Sequence, residues 1–134
     1  MKDLMKVLVC GDRKWDDKES IRKVLYSMNE GNVAPLTGIE IVTGGATGAD
    51  TQAAQIRDGN TVSIYPADWK KYGRAAGPIR NRVMLDKNPD LVIAFHDDIE
   101  KSKGTKDCIT EAYNRGIKVY LFTHKEGLKE WPVQ

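Results

Sequence analysis

The strongest constraint on the fold is the regular alternation of short apolar segments with longer amphipathic segments. We predict β-strands at the apolar segments, which are residues 7–10, 39–43, 61–65, 91–95 and 118–122. Parallel strands need crossover connections, and these connections are usually helices that cover both faces of the sheet. The alternation therefore predicts an α/β fold of three layers, with about five parallel strands in the middle layer.

The amphipathic segments predict the helices between these strands. They are residues 18–29, with Gly31 as the stop signal, residues 49–57, a helix that begins near Pro78, and residues 105–114. We predict the strand order 3-2-1-4-5, which places a ligand crevice between strands one and four, outside their carboxyl ends. A length of 134 residues fits a single domain over residues 1–134.

A glycine-rich loop between the second strand and the second helix is the first candidate site. It contains Gly44, Gly45, Ala46, Thr47, Gly48 and Asp50. Glycines let an anion approach the main chain, and the start of a helix presents unpaired N–H groups, so the loop is a candidate phosphate cradle. It matches neither the loop of ATPases and GTPases nor the dinucleotide fingerprint. The alternative is that the glycines only make a tight turn.

The loop after the first strand places a cation and a large ring beside a glycine. Gly11 is followed by Arg13, which could bind a phosphate, and by Trp15, which could stack on a base. The alternative is structural: Trp15 packs on the first helix, and Arg13 pairs with Asp16 or Asp17.

Two further segments carry candidate ligand contacts. Gly104 and Thr105 begin a helix after two lysines and could form a second anion site. Asp107, in the first turn of that helix, either stabilises the helix dipole or acts on the ligand as an acid. Arg80 and Asn81, preceded by Arg74, are candidate readers of phosphate, ribose or base edges.

The composition excludes several other classes of protein. Lys plus Arg (21) nearly balances Asp plus Glu (19), so nonspecific nucleic-acid binding is not expected. No apolar run reaches the roughly 20 residues of a membrane helix, and no signal peptide is recognised, so we expect a cytoplasmic protein without a membrane partner. Cys10 and Cys108 are expected to be buried reduced thiols. We predict no metal and no cofactor, and homo-oligomerisation is left open.

Several segments together carry a family resemblance. They are Val-Thr-Gly-Gly-Ala-Thr-Gly-Ala-Asp (42–50), Tyr-Pro-Ala-Asp-Trp (65–69), Ala-Ala-Gly-Pro-Ile-Arg-Asn-Arg-Val-Met-Leu (75–85), Asp-Leu-Val-Ile-Ala-Phe (90–95) and Gly-Thr-Lys-Asp (104–107). From Lys6 to about Phe122 the chain resembles the YspA, cpYpsA-related family of the SLOG superfamily. The resemblance implies a Rossmann-like fold and a site for nucleotides or nucleotide-derived ligands. Relatives in the superfamily include cytokinin-activating phosphoribohydrolases of the lysine-decarboxylase-like (LOG) type and sensors of nucleotide signals in antiviral defence.

One departure from those hydrolases affects the expected activity. They carry a Pro-Gly-Gly-x-Gly-Thr-x-x-Glu loop, whereas this chain has Cys108 where their glutamate stands and an acid, Asp107, one residue earlier. A shift of one residue rotates a helix position by roughly 100 degrees. We therefore predict nucleotide binding, with N-glycosidic bond cleavage by Asp50 or Asp107 as the reaction if the protein is an enzyme. The alternatives are a non-catalytic sensor or sequestering protein for a nucleotide signal and, third, single-stranded DNA binding.

Overall fold

The structure is a computed structural model that describes residues 5–28, 39–56 and 59–133. Its strands are β1 (Met5–Gly11), β2 (Ile39–Thr43), β3 (Thr61–Ile64), β4 (Leu91–Phe95), β5 (Lys118–Thr123) and β6 (Gly127–Trp131). Its α-helices are α1 (Lys18–Met28), α2 (Ala49–Ala54), α3 (Trp69–Tyr72), α4 (Ala76–Leu85) and α5 (Gly104–Asn114). Short 3-10 turns lie at Gly73–Ala75 and Ile99–Lys101.

The strands form one sheet of six strands in the order β3-β2-β1-β4-β5-β6. The first five are parallel, and β6 runs antiparallel to β5. The central strand β1 sets the register, because Val7 lies beside Ile41 on one side and beside Leu91 on the other. The predicted α/β fold and the order 3-2-1-4-5 are confirmed, and the fold is consistent with a Rossmann-like one.

Successive residues of β1 serve different cores, because side chains alternate between the two faces of a strand. Val7 and Val9 belong to the core beneath α1 and α2, whereas Leu8 and Cys10 belong to the core beneath α4 and α5. The predicted arrangement of helices on both faces is thus confirmed. Both cores extend to the carboxyl edge of the sheet, where they support the loops described below.

Two elements of the structure were not predicted. The strand β6 was not predicted, because Lys129 and Glu130 are exposed on this edge strand and leave no continuous apolar run. The helix α3 was also not predicted, although the Asp68 carboxylate accepts a hydrogen bond from the Lys71 amide and caps the helix. Pro78 lies in the first turn of α4, as predicted, where it is tolerated because amides there need no partner within the helix.

Helix α2 ends at Ala54, before the predicted end at Arg57. Asn29, the stop signal at Gly31, and Arg57 itself lie outside the described residues. No helix within residues 5–28, 39–56 and 59–133 is both long and apolar enough to span a membrane.

Candidate functional site

A cavity of about 430 Å³ lies at the carboxyl ends of β1 and β4, where the strand order reverses. We call it the first cavity. The loops after β1, β2 and β4 contribute to it, together with α4 and the start of α5. The described residues that line it are Cys10, Gly11, Asp12, Arg13, Lys14, Ala46, Asp50, Arg80, Asn81, Met84, His96, Ser102, Lys103, Gly104, Thr105 and Cys108.

Cationic side chains dominate the charge of the first cavity. Arg13, Lys14, Arg80 and Lys103 line it, against the two carboxylates of Asp12 and Asp50. Four cations against two carboxylates give this lining a formal charge of +2, the same as that of the whole chain. A cavity of this kind favours a negatively charged occupant.

Arg80 is held in place by two hydrogen bonds. Its Nη1 donates to the Gly44 carbonyl at 2.7 Å, and its Nε donates to Asn81 Oδ1 at 3.0 Å. A Cβ on Gly44 would lie 2.1 Å from Nη1, so residue 44 must be glycine for Arg80 to occupy this position. The glycine-rich loop and α4 are thus joined through one guanidinium.

Asn81 is buried and connects three segments. Its Oδ1 accepts from Arg80, while its Nδ2 donates to the Gly104 carbonyl at 3.2 Å and to Asp107 Oδ2 at 3.1 Å. These hydrogen bonds fix the positions of Arg80 and the start of α5. Asn81 also lines the first cavity, so its contact with a ligand stays a prediction.

Asp107 was predicted as a catalytic candidate, but it does not line the first cavity. Its Oδ2 accepts from Asn81 and lies 3.4 Å from Arg82 Nη1, so it links α5 to α4. Its position in the first turn of α5 also favours the helix dipole. These contacts favour the structural alternative for Asp107, and its catalytic role stays a prediction without support from the cavity.

Asp50 is the carboxylate beneath the glycine-rich loop. It is only 5% exposed, and its Oδ2 accepts from the Ala46 amide at 3.2 Å. Burial raises its pKa from 3.8 to about 6, although the Ala46 hydrogen bond and the charge of Arg80 oppose the rise. A carboxyl group with this pKa changes its protonation state close to neutral pH.

The glycine-rich loop is therefore less open than a simple phosphate cradle. Its Ala46 amide binds Asp50, and its Ala49 amide donates to the Asp12 carbonyl at 3.1 Å. Gly48 has a φ of 78°, and a Cβ there would lie 2.3 Å from the Asp12 carbonyl oxygen. Gly48 thus allows the loops after β1 and β2 to pack closely and lines neither cavity described here.

The start of α5 forms the opposite wall. Gly104 begins this helix of 11 residues, and Ser102 Oγ accepts from the Thr105 amide at 3.1 Å. The predicted pair Gly104 and Thr105 lines the first cavity beside Lys103. A helix start combined with a lysine provides a partial and a full positive charge on the same wall.

Trp15 lies in the core and does not offer a face to the first cavity. It is 4% exposed, its Nε1 donates to Asp17 O and Ser20 Oγ at 3.1 Å, and its ring stacks on His124 at 4.5 Å. The interpretation of Trp15 as a stacking platform was wrong. The structure shows the alternative, in which Trp15 packs on the first helix.

Arg13 adopts neither of its predicted structural pairings. The partner of Asp17 is His124, whose Nε2 lies 2.8 Å from Asp17 Oδ2. The Arg13 guanidinium carbon instead lies 5.8 Å from the centre of the Trp69 ring. Trp69 was not among the predicted ligand contacts, although it follows the end of β3 just as the predicted loops follow the ends of β1, β2 and β4.

A second cavity of about 310 Å³ adjoins the first. Arg13, Ala46 and Arg80 line both cavities. The remaining residues around the second cavity are Gly44, Gly45, Thr47, Pro66, Ala67 and Trp69. The glycine-rich loop thus separates two adjoining spaces, whereas Arg74 is exposed on the turn after α3 and lines neither.

Sulfur atoms form part of the floor of the first cavity. Cys10, Met84 and Cys108 line it, and both cysteines are free and buried, as predicted. A hydrogen bond with the Cys108 thiol, together with burial, raises the pKa of Cys10 well above its usual range. Within the described part of the chain, no three His, Cys, Asp or Glu side chains are grouped so that they could hold a metal ion.

Comparison with known proteins identifies the family. The family model described as "YspA, cpYpsA-related SLOG family" matches residues 5–72, which run from β1 to α3. The chain belongs to this family. It is also similar to the Gene 61 protein of Mycobacterium phage D29, with 33% identity over 129 residues that cover 91% of this chain and 99% of that protein. No solved structure gives a significant match.

Proposed function

We propose that the protein binds a nucleotide or nucleotide-derived ligand, with its phosphate in the first cavity. The observation that carries this proposal is the convergence of Arg13, Lys14, Arg80 and Lys103 on one cavity at the point where the strand order reverses. Membership of the SLOG family is compatible with a nucleotide-related ligand.

Each wall of the cavity suits a phosphate in a different way. Arg80 is held by Gly44 and Asn81, so little side-chain freedom is lost when its guanidinium binds an anion. Lys14 and Lys103 add full charges, and the start of α5 adds the partial charge of its unpaired amides. A phosphorylated ligand is therefore favoured over its unphosphorylated counterpart.

Calorimetric titration of the wild-type protein and an Arg80→Ala variant with adenosine 5′-monophosphate and adenosine tests this proposal. We expect Arg80→Ala to weaken binding of the monophosphate by roughly 10- to 100-fold, the value of a hydrogen bond to a charged group, and to leave adenosine unchanged. Arg115→Ala is the matched control, because Arg115 pairs with Asp86 and Glu111 and lines neither cavity. An equal loss for both compounds would assign Arg80 a structural role only.

A second candidate function is cleavage of an N-glycosidic bond, and Asp50 is the observation that favours it. In this reaction water adds to the anomeric carbon while the carbon–nitrogen bond breaks, so that free base and ribose phosphate are the products. A carboxyl group with a pKa of about 6 can take a proton from water or stabilise positive charge on the sugar near neutral pH. Asp50 lines the cavity beside Arg80, which would hold the phosphate.

Turnover separates this enzyme from a sensor or sequestering protein. The wild-type protein and Asp50→Asn are incubated with nucleoside monophosphates, NAD and cyclic nucleotides, and the products are separated by chromatography. An enzyme of this kind releases free base, and Asp50→Asn abolishes the release. Recovery of an unchanged ligand retained by the wild-type protein would instead assign it a binding role without chemistry.

A further inference from the structure

The second cavity adjoins the first but differs from it in lining. The two spaces share Arg13, Ala46 and Arg80, and among the described residues around the second cavity none is acidic. At about 310 Å³, the second cavity is at the lower end of the size range of ligand pockets. It is therefore suited to one part of a ligand whose other part occupies the first cavity.

Trp69 gives the second cavity an exposed aromatic face. It is 51% exposed, in contrast to Trp15, which lies in the core. A Cβ on Gly77 would lie 3.6 Å from Trp69 Cη2, so the ring extends over a glycine of α4. The cap that Asp68 makes on α3 fixes the start of the helix that carries Trp69.

The groups around this ring match a flat base with polar edges. Pro66 and Ala67 supply apolar surface, while Gly44 and Gly45 present main chain without a side chain. The Arg13 guanidinium lies over the Trp69 ring, with its carbon 5.8 Å from the ring centre, so its N–H donors are close to acceptors on the edge of a base that packs against this ring. Exposed tryptophan next to arginine is a combination that stacks nucleobases.

We propose that the second cavity is a nucleobase subsite, in which Trp69 stacks on the base and Arg13 contacts it. Arg80, shared by both cavities, then lies between the base and the phosphate. This inference rests on the proposed function, since it assigns the first cavity to the phosphate. It specifies the ligand as an aromatic base joined to a phosphorylated sugar.

The test compares ligands with and without a base. Wild type, Trp69→Leu, Trp69→Phe and the control Tyr26→Leu are titrated by calorimetry with the four ribonucleoside 5′-monophosphates and with ribose 5-phosphate. Tyr26 is a matched control, because it is 52% exposed on α1 and lines neither cavity. Circular dichroism confirms that each variant is folded.

We expect Trp69→Leu to weaken binding of at least one monophosphate by about 5- to 100-fold, the usual value of base stacking, and to leave ribose 5-phosphate unchanged. Trp69→Phe should retain most of the affinity because it keeps an aromatic face. Unchanged monophosphate binding by folded Trp69→Leu overturns the base subsite, and so does an equal loss for the monophosphates and ribose 5-phosphate. Both of these results leave the proposed function in place, whereas failure of the wild type to bind any of the probes overturns both.

Discussion

The buried carboxyl group of Asp50 makes a quantitative prediction about stability. Its pKa is about 6 in the folded protein, against an ordinary value of 3.8. The folded state therefore holds this proton more tightly than the unfolded state, so the free energy of unfolding falls as pH rises. Asp50 does not lower the free energy of unfolding below its ordinary pKa of 3.8, and its full destabilising effect is reached above the folded pKa of about 6.

The size of the effect follows from the same two values. At 1.36 kcal/mol for each pKa unit, the full loss is about 3 kcal/mol. Roughly 2 kcal/mol of it falls between pH 4 and pH 7. Because Asp50 is only 5% exposed, solvent screening reduces this value little.

Urea unfolding of wild type and Asp50→Asn, followed by circular dichroism from pH 4 to pH 8, measures the contribution of Asp50 to the free energy of unfolding. Asparagine keeps the shape and can still accept from the Ala46 amide, but it does not titrate. We expect the stability of Asp50→Asn relative to wild type to rise by roughly 2 kcal/mol between pH 4 and pH 7. Asp16→Asn is the control, because Asp16 is exposed. A difference between Asp50→Asn and wild type that does not vary with pH would refute the reasoning.

Two further predictions concern residues around the site. In Gly44→Ala the new Cβ would lie 2.1 Å from Arg80 Nη1 and displace that side chain. We therefore expect calorimetry to show a loss of nucleotide affinity similar to that of Arg80→Ala, and no further loss in the double variant. Additive losses in the double variant would contradict this prediction. His124 lies between Asp97 and Asp17, whose hydrogen bonds raise its pKa above 6.5, so its charged form stabilises the fold below that pH and the contribution is lost as pH rises through the raised value. His124→Gln should therefore lower the thermal midpoint more at pH 6 than at pH 9, and the opposite order would exclude this ion-pair contribution.

Much of the fold followed from local pattern. Apolar runs such as residues 91–95 are buried throughout in the structure, so their periodicity and length carry the information that places them in the sheet. The edge strand β6 could not be predicted in this way, because the adjacent residues Lys129 and Glu130 are both exposed and leave no continuous apolar run. Helix α3 is short, and a short helix depends on its cap more than on periodicity.

The site was predictable only at the level of loops. Parallel strands end at one edge of the sheet, so the sequence could indicate that the segments after β1, β2 and β4 lie close together. It could not distinguish a buried tryptophan at residue 15 from an exposed one at residue 69, because that difference arises from tertiary packing. Nor could it show that Asn81 and Asp107 bind each other across two helices, since 26 positions separate them in the chain.

The side-chain amide of Asn81 links the Gly104 carbonyl, in the wall of the first cavity, to Arg80, which lines both cavities. Because Asn81 holds both groups through hydrogen bonds, a displacement of the α5 start would also displace Arg80. A substitution at Asn81 is therefore expected to disturb both cavities at once, whereas a substitution at Trp69, which lines only the second cavity, leaves the first cavity intact.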